Sequence, residues 1–135
     1  MIAAAILALL LIFGVGGGVF GELMTEFAKD PVKDTVVEED RREQALDELK
    51  SLEKAVKELN KGVSKDIEAF HKLVEDYDST PADFDSMFSS AITRREQEVS
   101  AIWERRNALL AHIRADEWQT IIASAKADME EEKKK

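Results

Sequence analysis

Between positions 49 and 77 the chain places an apolar residue at every third or fourth position: Leu49, Leu52, Val56, Leu59, Val63, Ile67, Phe70, Val74 and Tyr77. An α-helix turns once every 3.6 residues, so this spacing gathers them into one stripe; a strand would need alternation instead. The spacing predicts a single amphipathic helix over residues 38–77, roughly 60 Å long at 1.5 Å per residue. Two consecutive steps of four across Val63 disturb the alternation of three and four. Gly62 beside them weakens the helix by about 1 kcal/mol, so a bend is expected there.

The stripe stops where the backbone chemistry changes. Thr80 offers an N-cap hydroxyl, Pro81 suits the first helical position because its φ is already helical, and Asp83 places an acid at the third. A second stripe then runs to Ile113 through Phe84, Phe88, Ala91, Val99, Ile102 and Leu109, with Trp103 beside it. Arg94, Arg95, Arg105 and Arg106 are read as its polar side. A short loop between two long amphipathic helices makes them antiparallel. Folding about Ser79 is thus expected to bring Phe70 near Phe88, Val56 near Trp103, and His71 toward Met87. Asp116 and Gln119 have capping-box spacing, and Trp118, Ile121, Ile122, Ala125 and Met129 carry an apolar face through a shorter last helix able to fold back on the hairpin. The two tryptophans and six phenylalanines are read as core packing.

Charge divides the chain in two. None of the 19 Lys and Arg or 28 Asp and Glu lies in residues 1–21. Residues 2–20 read IAAAILALLLIFGVGGGVF, which as a helix spans roughly 30 Å, the thickness of a bilayer core. A transmembrane helix contacting the lipid bilayer through residues 1–21 is the leading reading. A signal peptide cleaved before Glu22 is the alternative, since Val19 and Gly21 are small enough to flank such a site. The length of the run and the lack of a basic stretch ahead of it favour the anchor. Gly14 and Gly18, four apart, would let two membrane helices pack closely; the favoured reading is that glycine is common in membrane helices and that Gly16 to Gly18 loosen the helix as it leaves the bilayer. Gly16, Gly18 and Gly21 also match a dinucleotide-binding pattern, but no later segment supplies the parallel strands such a site requires. Residues 22–34 read as a short juxtamembrane helix ending in a turn-like stretch with Asp30 and Pro31, within a linker over residues 22–37. Lys29, Lys33, Arg41 and Arg42 follow the span, which by counting lysines and arginines alone favours a cytoplasmic domain.

The net charge of −9 repels phosphate, so nucleic acid is an unfavourable partner, and Lys133, Lys134 and Lys135 are offset by Glu130, Glu131 and Glu132. Without cysteine there is neither disulfide nor thiolate metal site. Each of the two histidines has an acid four positions on: His71 with Glu75, and His112 with Asp116. The first pair is the candidate metal site, although in so acidic a chain such pairing arises readily by chance. No nucleophile has a histidine partner in reach by sequence, so no catalytic residue and no cofactor is expected.

One segment is similar to a known family. The run ITRREQEVSAIWERRNALLAHI, followed by a break and a new helix at IRADEW, resembles the CpxP- and Spy-like periplasmic chaperones and the CnrX-like heavy-metal-resistance proteins over residues 86–130. Ile113 stands at the leucine, Arg114 at the threonine and Glu117 at the glutamine of that family's LTxxQ motif. The resemblance implies an all-helical extracytoplasmic domain, of the hooked-dimer kind, that senses envelope stress or metal or holds unfolded protein. It reverses the orientation suggested by the lysines and arginines.

The expected fold class is all-α: an N-terminal transmembrane helix or signal peptide in residues 1–21, a linker in 22–37, and an acidic domain in 38–135 built as a long antiparallel hairpin with a shorter C-terminal helix. Thin helices bury little area against the entropy of ordering them, so a homodimer or another protein subunit is the expected partner. The expected role is that of a single-pass, extracytoplasmic interaction, sensor or chaperone-like module. A metal-responsive sensor or buffer and a coiled-coil tether are the alternatives; small-molecule ligands are left open.

Overall fold

The computed structural model describes residues 28–134. The apolar run 2–20, with Gly14 and Gly18 and the Gly16, Gly18, Gly21 pattern, lies outside the described residues. Within them the chain is all-helical: α1 (Lys29–Thr35), α2 (Glu39–Glu75), α3 (Pro81–Leu110) and α4 (Ala115–Lys133). None of these helices is long and apolar enough to cross a membrane.

The hairpin forms as its periodicity requires. Helix α2 runs unbroken for 37 residues, with Glu39 and Asp40 in its first turn and Lys72 in its last, each complementing the helix dipole. Asp76 ends it in extended backbone, and its carboxylate accepts from the Asp78 N–H at 3.0 Å to tighten the turn. Thr80 and Asp83 then form a reciprocal capping box. The Asp83 N–H donates to Thr80 Oγ1 at 3.3 Å, and the Thr80 N–H donates to Asp83 Oδ2 at 2.9 Å. Pro81 sits in the first turn, where its missing N–H leaves nothing unpaired. The expected antiparallel register holds, since the rings of Phe70 and Phe88 lie 6.0 Å apart.

Helix α4 starts two residues earlier than the Asp116 and Gln119 spacing implied. Arg114 is the N-cap, and its N–H donates to Glu117 Oε1 at 2.8 Å. A guanidinium has no acceptor, so only this half of a capping box forms. The preceding residues tighten into a short turn, with the His112 and Ile113 N–H groups donating to the carbonyls of Leu109 and Leu110.

The core sits at one end of the hairpin, opposite the Thr80 turn. Leu49, Leu52 and Val56 of α2 and Leu109 of α3 meet Ile113 and Ile121, with Leu46, Ile102, Trp118 and Ile122 packed against them. Ala28, Val32 and Val36 complete the same cluster, so the described part of the 22–37 segment packs into the core. The three are spaced by four, one helical face, and Pro31 falls in the first turn of α1, where proline is tolerated. Helix α1 thereby packs against both α2 and α4.

Three other expectations of side-chain placement fail. Phe70 and Phe88, read as core, are 37% and 43% exposed. Trp103 is not core: it is 59% exposed, with the Arg106 guanidinium 5.0 Å above its ring. That contact is a cation–π pair, so the aromatic stays at the surface beside a charge it attracts. Arg95 is not on a polar side either; it is buried, for the reason given below.

Candidate interaction surface at the hairpin tip

The apolar stripe of α2 does not end where the core ends. Past Leu59 it continues through Ile67 (44% exposed), Phe70 (37%) and Val74 (59%) to Tyr77 (100%) at the turn. Helix α3 contributes Phe88 (43%) and, further from the tip, Val99 (41%). Phe70 holds the two helices together here: its ring meets Phe84 edge-on at 6.2 Å and Phe88 at a tilt at 6.0 Å. Such pairs contribute about 0.5–1.5 kcal/mol beyond the area they bury. The aromatic cluster is therefore anchored to the fold on one side and open to solvent on the other.

The seam beneath this surface is polar where an apolar layer would normally lie. Asp66 and Arg95 are the buried charged residues among those described. The Asp66 carboxylate accepts from Arg95 Nη2 on one oxygen and from Arg94 Nη2 on the other. Arg95 Nη1 donates to the Leu59 carbonyl at 3.0 Å and to Glu98 Oε2 at 2.6 Å. Its Nε has no partner, a loss of roughly 1–3 kcal/mol for a buried donor. Burial raises the carboxyl pKa of Glu98, with the Arg95 charge acting against that shift.

Gly62 makes this arrangement possible. A Cβ placed there would stand 2.5 Å from Glu98 Oε1 and 3.1 Å from Arg95 Nη2. The glycine lets these side chains approach the α2 backbone, and the helix runs through it as a single element, not as two segments meeting at a bend. The same residues floor an open notch of about 480 Å³, lined by Glu58, Lys61, Gly62, Lys65, Arg94 and Glu98. Lys61 and Lys65 stand two positions before Val63 and Ile67 respectively, so the notch and the apolar stripe lie on roughly opposite sides of α2.

A second ion cluster closes the base. Arg41 grips the Glu117 carboxylate through both terminal nitrogens, Nη2 to Oε2 at 2.9 Å, and Nη1 also donates to the His112 carbonyl at 3.2 Å. This fork, opposed by desolvation and helped by the Arg114 N–H, lowers the Glu117 pKa to about 2. Arg41 is correspondingly raised. Glu38 bridges to Arg114 at 3.2 Å, tying the start of α2 to the start of α4.

His71 and Glu75 are both exposed on α2, and the His71 ring leans on Phe70 at 6.3 Å. Among the described residues no three His, Cys, Asp or Glu side chains gather as a ligand set, so the fold adds no third donor to this pair. Thr80, Pro81 and Asp83 occupy the cap positions their sequence implied.

The exposed stripe was visible in the sequence as periodicity. The charged seam was missed, although the signal was present: Arg95 lies four residues after Ala91 and four before Val99, on the apolar stripe itself. Asp66 lies seven after Leu59, two full helical turns along the same face. No protein-family model, curated protein or solved structure matches the chain.

Proposed function

We propose that the chain is a non-catalytic, membrane-anchored helical module that binds another protein through the tip of its hairpin. The observation that carries this reading is the open stripe of Ile67, Phe70, Val74, Tyr77 and Phe88. Contiguous exposed apolar surface of this kind marks contact sites, because a partner that covers it gains the burial the monomer lacks. The core at the base is complete without it, so the stripe is not needed to close the fold.

The anchor is residues 2–20, whose length and lack of charge suit a bilayer. The resemblance of residues 86–130 to the periplasmic chaperone and metal-resistance proteins supports an extracytoplasmic domain. On this reading the hairpin presents its far end to the compartment while residues 1–21 hold it at the membrane.

The test places a photo-crosslinking residue at Tyr77 or, as a control, at exposed Lys126 of α4, in cells making the full chain. Discrete adducts to another polypeptide in the membrane fraction, formed from position 77 and not from 126, are the expected result. Equal labelling from the two positions, none from 77, or recovery of the chain outside the membrane fraction overturns the reading.

A further inference from the structure

The surface that covers the tip must match its charge as well as its apolar stripe. Over residues 73–93 the chain carries five carboxylates, Glu75, Asp76, Asp78, Asp83 and Asp85, and no lysine or arginine. The nearest cations on either side are already engaged: Lys72 with Glu68 at 3.2 Å, and Arg94 with the buried Asp66. The exposed aromatic and aliphatic groups thus lie within an acidic rim that nothing in the described fold neutralises.

We infer that the hairpin tip is a docking site for a basic amphipathic helix of a partner protein. The inference rests on the interaction reading above and specifies the partner's chemistry. The exposed stripe at the tip, from Ile67 to Val74 of α2 with Tyr77 beyond it and Phe88 across on α3, runs about 10 Å from Ile67 to Val74, two helical turns, so one helix of about 15 residues covers it and sets its flanks over the acidic rim. An amphipathic helix places apolar residues at i, i+3, i+4 and i+7 into such a groove, and lysines or arginines on its flanks reach the carboxylates. A second copy fits poorly, because a two-fold contact brings the acidic rim against itself. An anionic lipid surface is repelled for the same reason.

The test uses the full chain in nanodiscs of zwitterionic lipid, with empty nanodiscs as blank. The probes are two fluorescent peptides of about 18 residues with the same leucine face, flanked by lysine in one and by glutamate in the other. The lysine peptide binds with a Kd on the order of 10 μM or tighter, at least about tenfold below the glutamate peptide. Raising salt to about 0.5 M weakens it severalfold. Val74→Ser with Tyr77→Ser lowers affinity about tenfold, as does Glu75→Gln with Asp78→Asn and Asp85→Asn. All five side chains are exposed, and unchanged circular dichroism shows that the fold survives their replacement.

Equal binding of the two peptides, no saturation below about 1 mM, or indifference to both sets of variants overturns the inference. So does a dimer in sedimentation that the Val74 and Tyr77 substitutions dissociate, since a second copy then covers the face. If these results come with strong crosslinking from position 77 in cells, the cationic helix is wrong and the interaction reading stands. If position 77 is silent in cells, the interaction reading falls whatever the peptides do.

Discussion

The base and the tip of the hairpin are cut from the same two helices and the same apolar periodicity, yet one end is closed and the other open. At the base, Leu49, Leu52 and Val56 are covered by α1, α3 and α4. At the tip, Ile67, Phe70 and Val74 occupy the same stripe about three turns and more further on, and meet solvent. Length accounts for the difference. Helix α2 extends about 55 Å, whereas α1 and α4 measure about 10 and 28 Å and start at the base. Periodicity determines which face of a helix is apolar, and the reach of its neighbours determines whether that face is hidden.

The two ends also differ in how their seams are held, and the largest expected effect tests that. Arg95→Met leaves Asp66 buried with only the half-exposed Arg94 as partner, and costs about 3–5 kcal/mol in urea unfolding. Asp66→Leu combined with Arg95→Met recovers most of the loss, because an apolar pair avoids stranding a charge. If the double variant is as unstable as the single one, the seam depends on more than charge pairing.

Next in size is a direct contrast along one stripe. Leu52→Ala, fully buried at the base, costs about 3 kcal/mol through lost transfer energy and a residual cavity. Val74→Ala at the tip changes stability by less than about 0.5 kcal/mol. Equal losses at the two sites would mean that the tip is covered in solution.

Acid separates the ends by sign. Glu117 is held at about 2 against an ordinary value of 4.5, so its fork with Arg41 stabilises the fold fully above pH 4.5 and progressively less as pH falls toward 2. Glu98 is raised, so its contribution runs the other way: favourable below its ordinary value and diminishing as pH rises through the folded one. The base is therefore the acid-sensitive end. Fluorescence of Trp118, which packs on the core beside Glu117, reports loosening in that window, and Glu117→Gln flattens the dependence.

The smallest effect is Gly62→Ala. Alanine gains about 1 kcal/mol of helix propensity but pushes the Glu98 carboxylate away from Arg95. The single substitution is close to neutral or slightly destabilising in urea unfolding. With Glu98→Ala also present, Gly62→Ala is stabilising, because the group it displaced is gone. A Gly62→Ala gain of the full propensity on its own would show that Glu98 moves aside freely.

The hairpin, its turn and the pairing of Phe70 with Phe88 were legible in the sequence because each follows from local spacing and one short loop. What escaped depended on treating residue type as a guide to position. Arg95 was assigned to the polar side from its charge, although its place in the repeat put it on the seam. Trp103 was assigned to the core from its helical spacing beside the stripe, although a neighbouring arginine gave it a stable place outside. Pro31 was read as a break, although Ala28, Val32 and Val36 mark a helical face around it. The extent of cover over the stripe was not local at all, since it depends on how far α1 and α4 reach once folded.

The buried Asp66 and Arg95 pair has a mechanical consequence. A slip of one helix along the other would move each charge by a turn, away from its partner and against apolar side chains, so the hairpin resists shear far more than an all-leucine seam of the same length. A load applied at Tyr77 is then passed along α2 as along a stiff rod to the opposite end, where Arg41 grips Glu117.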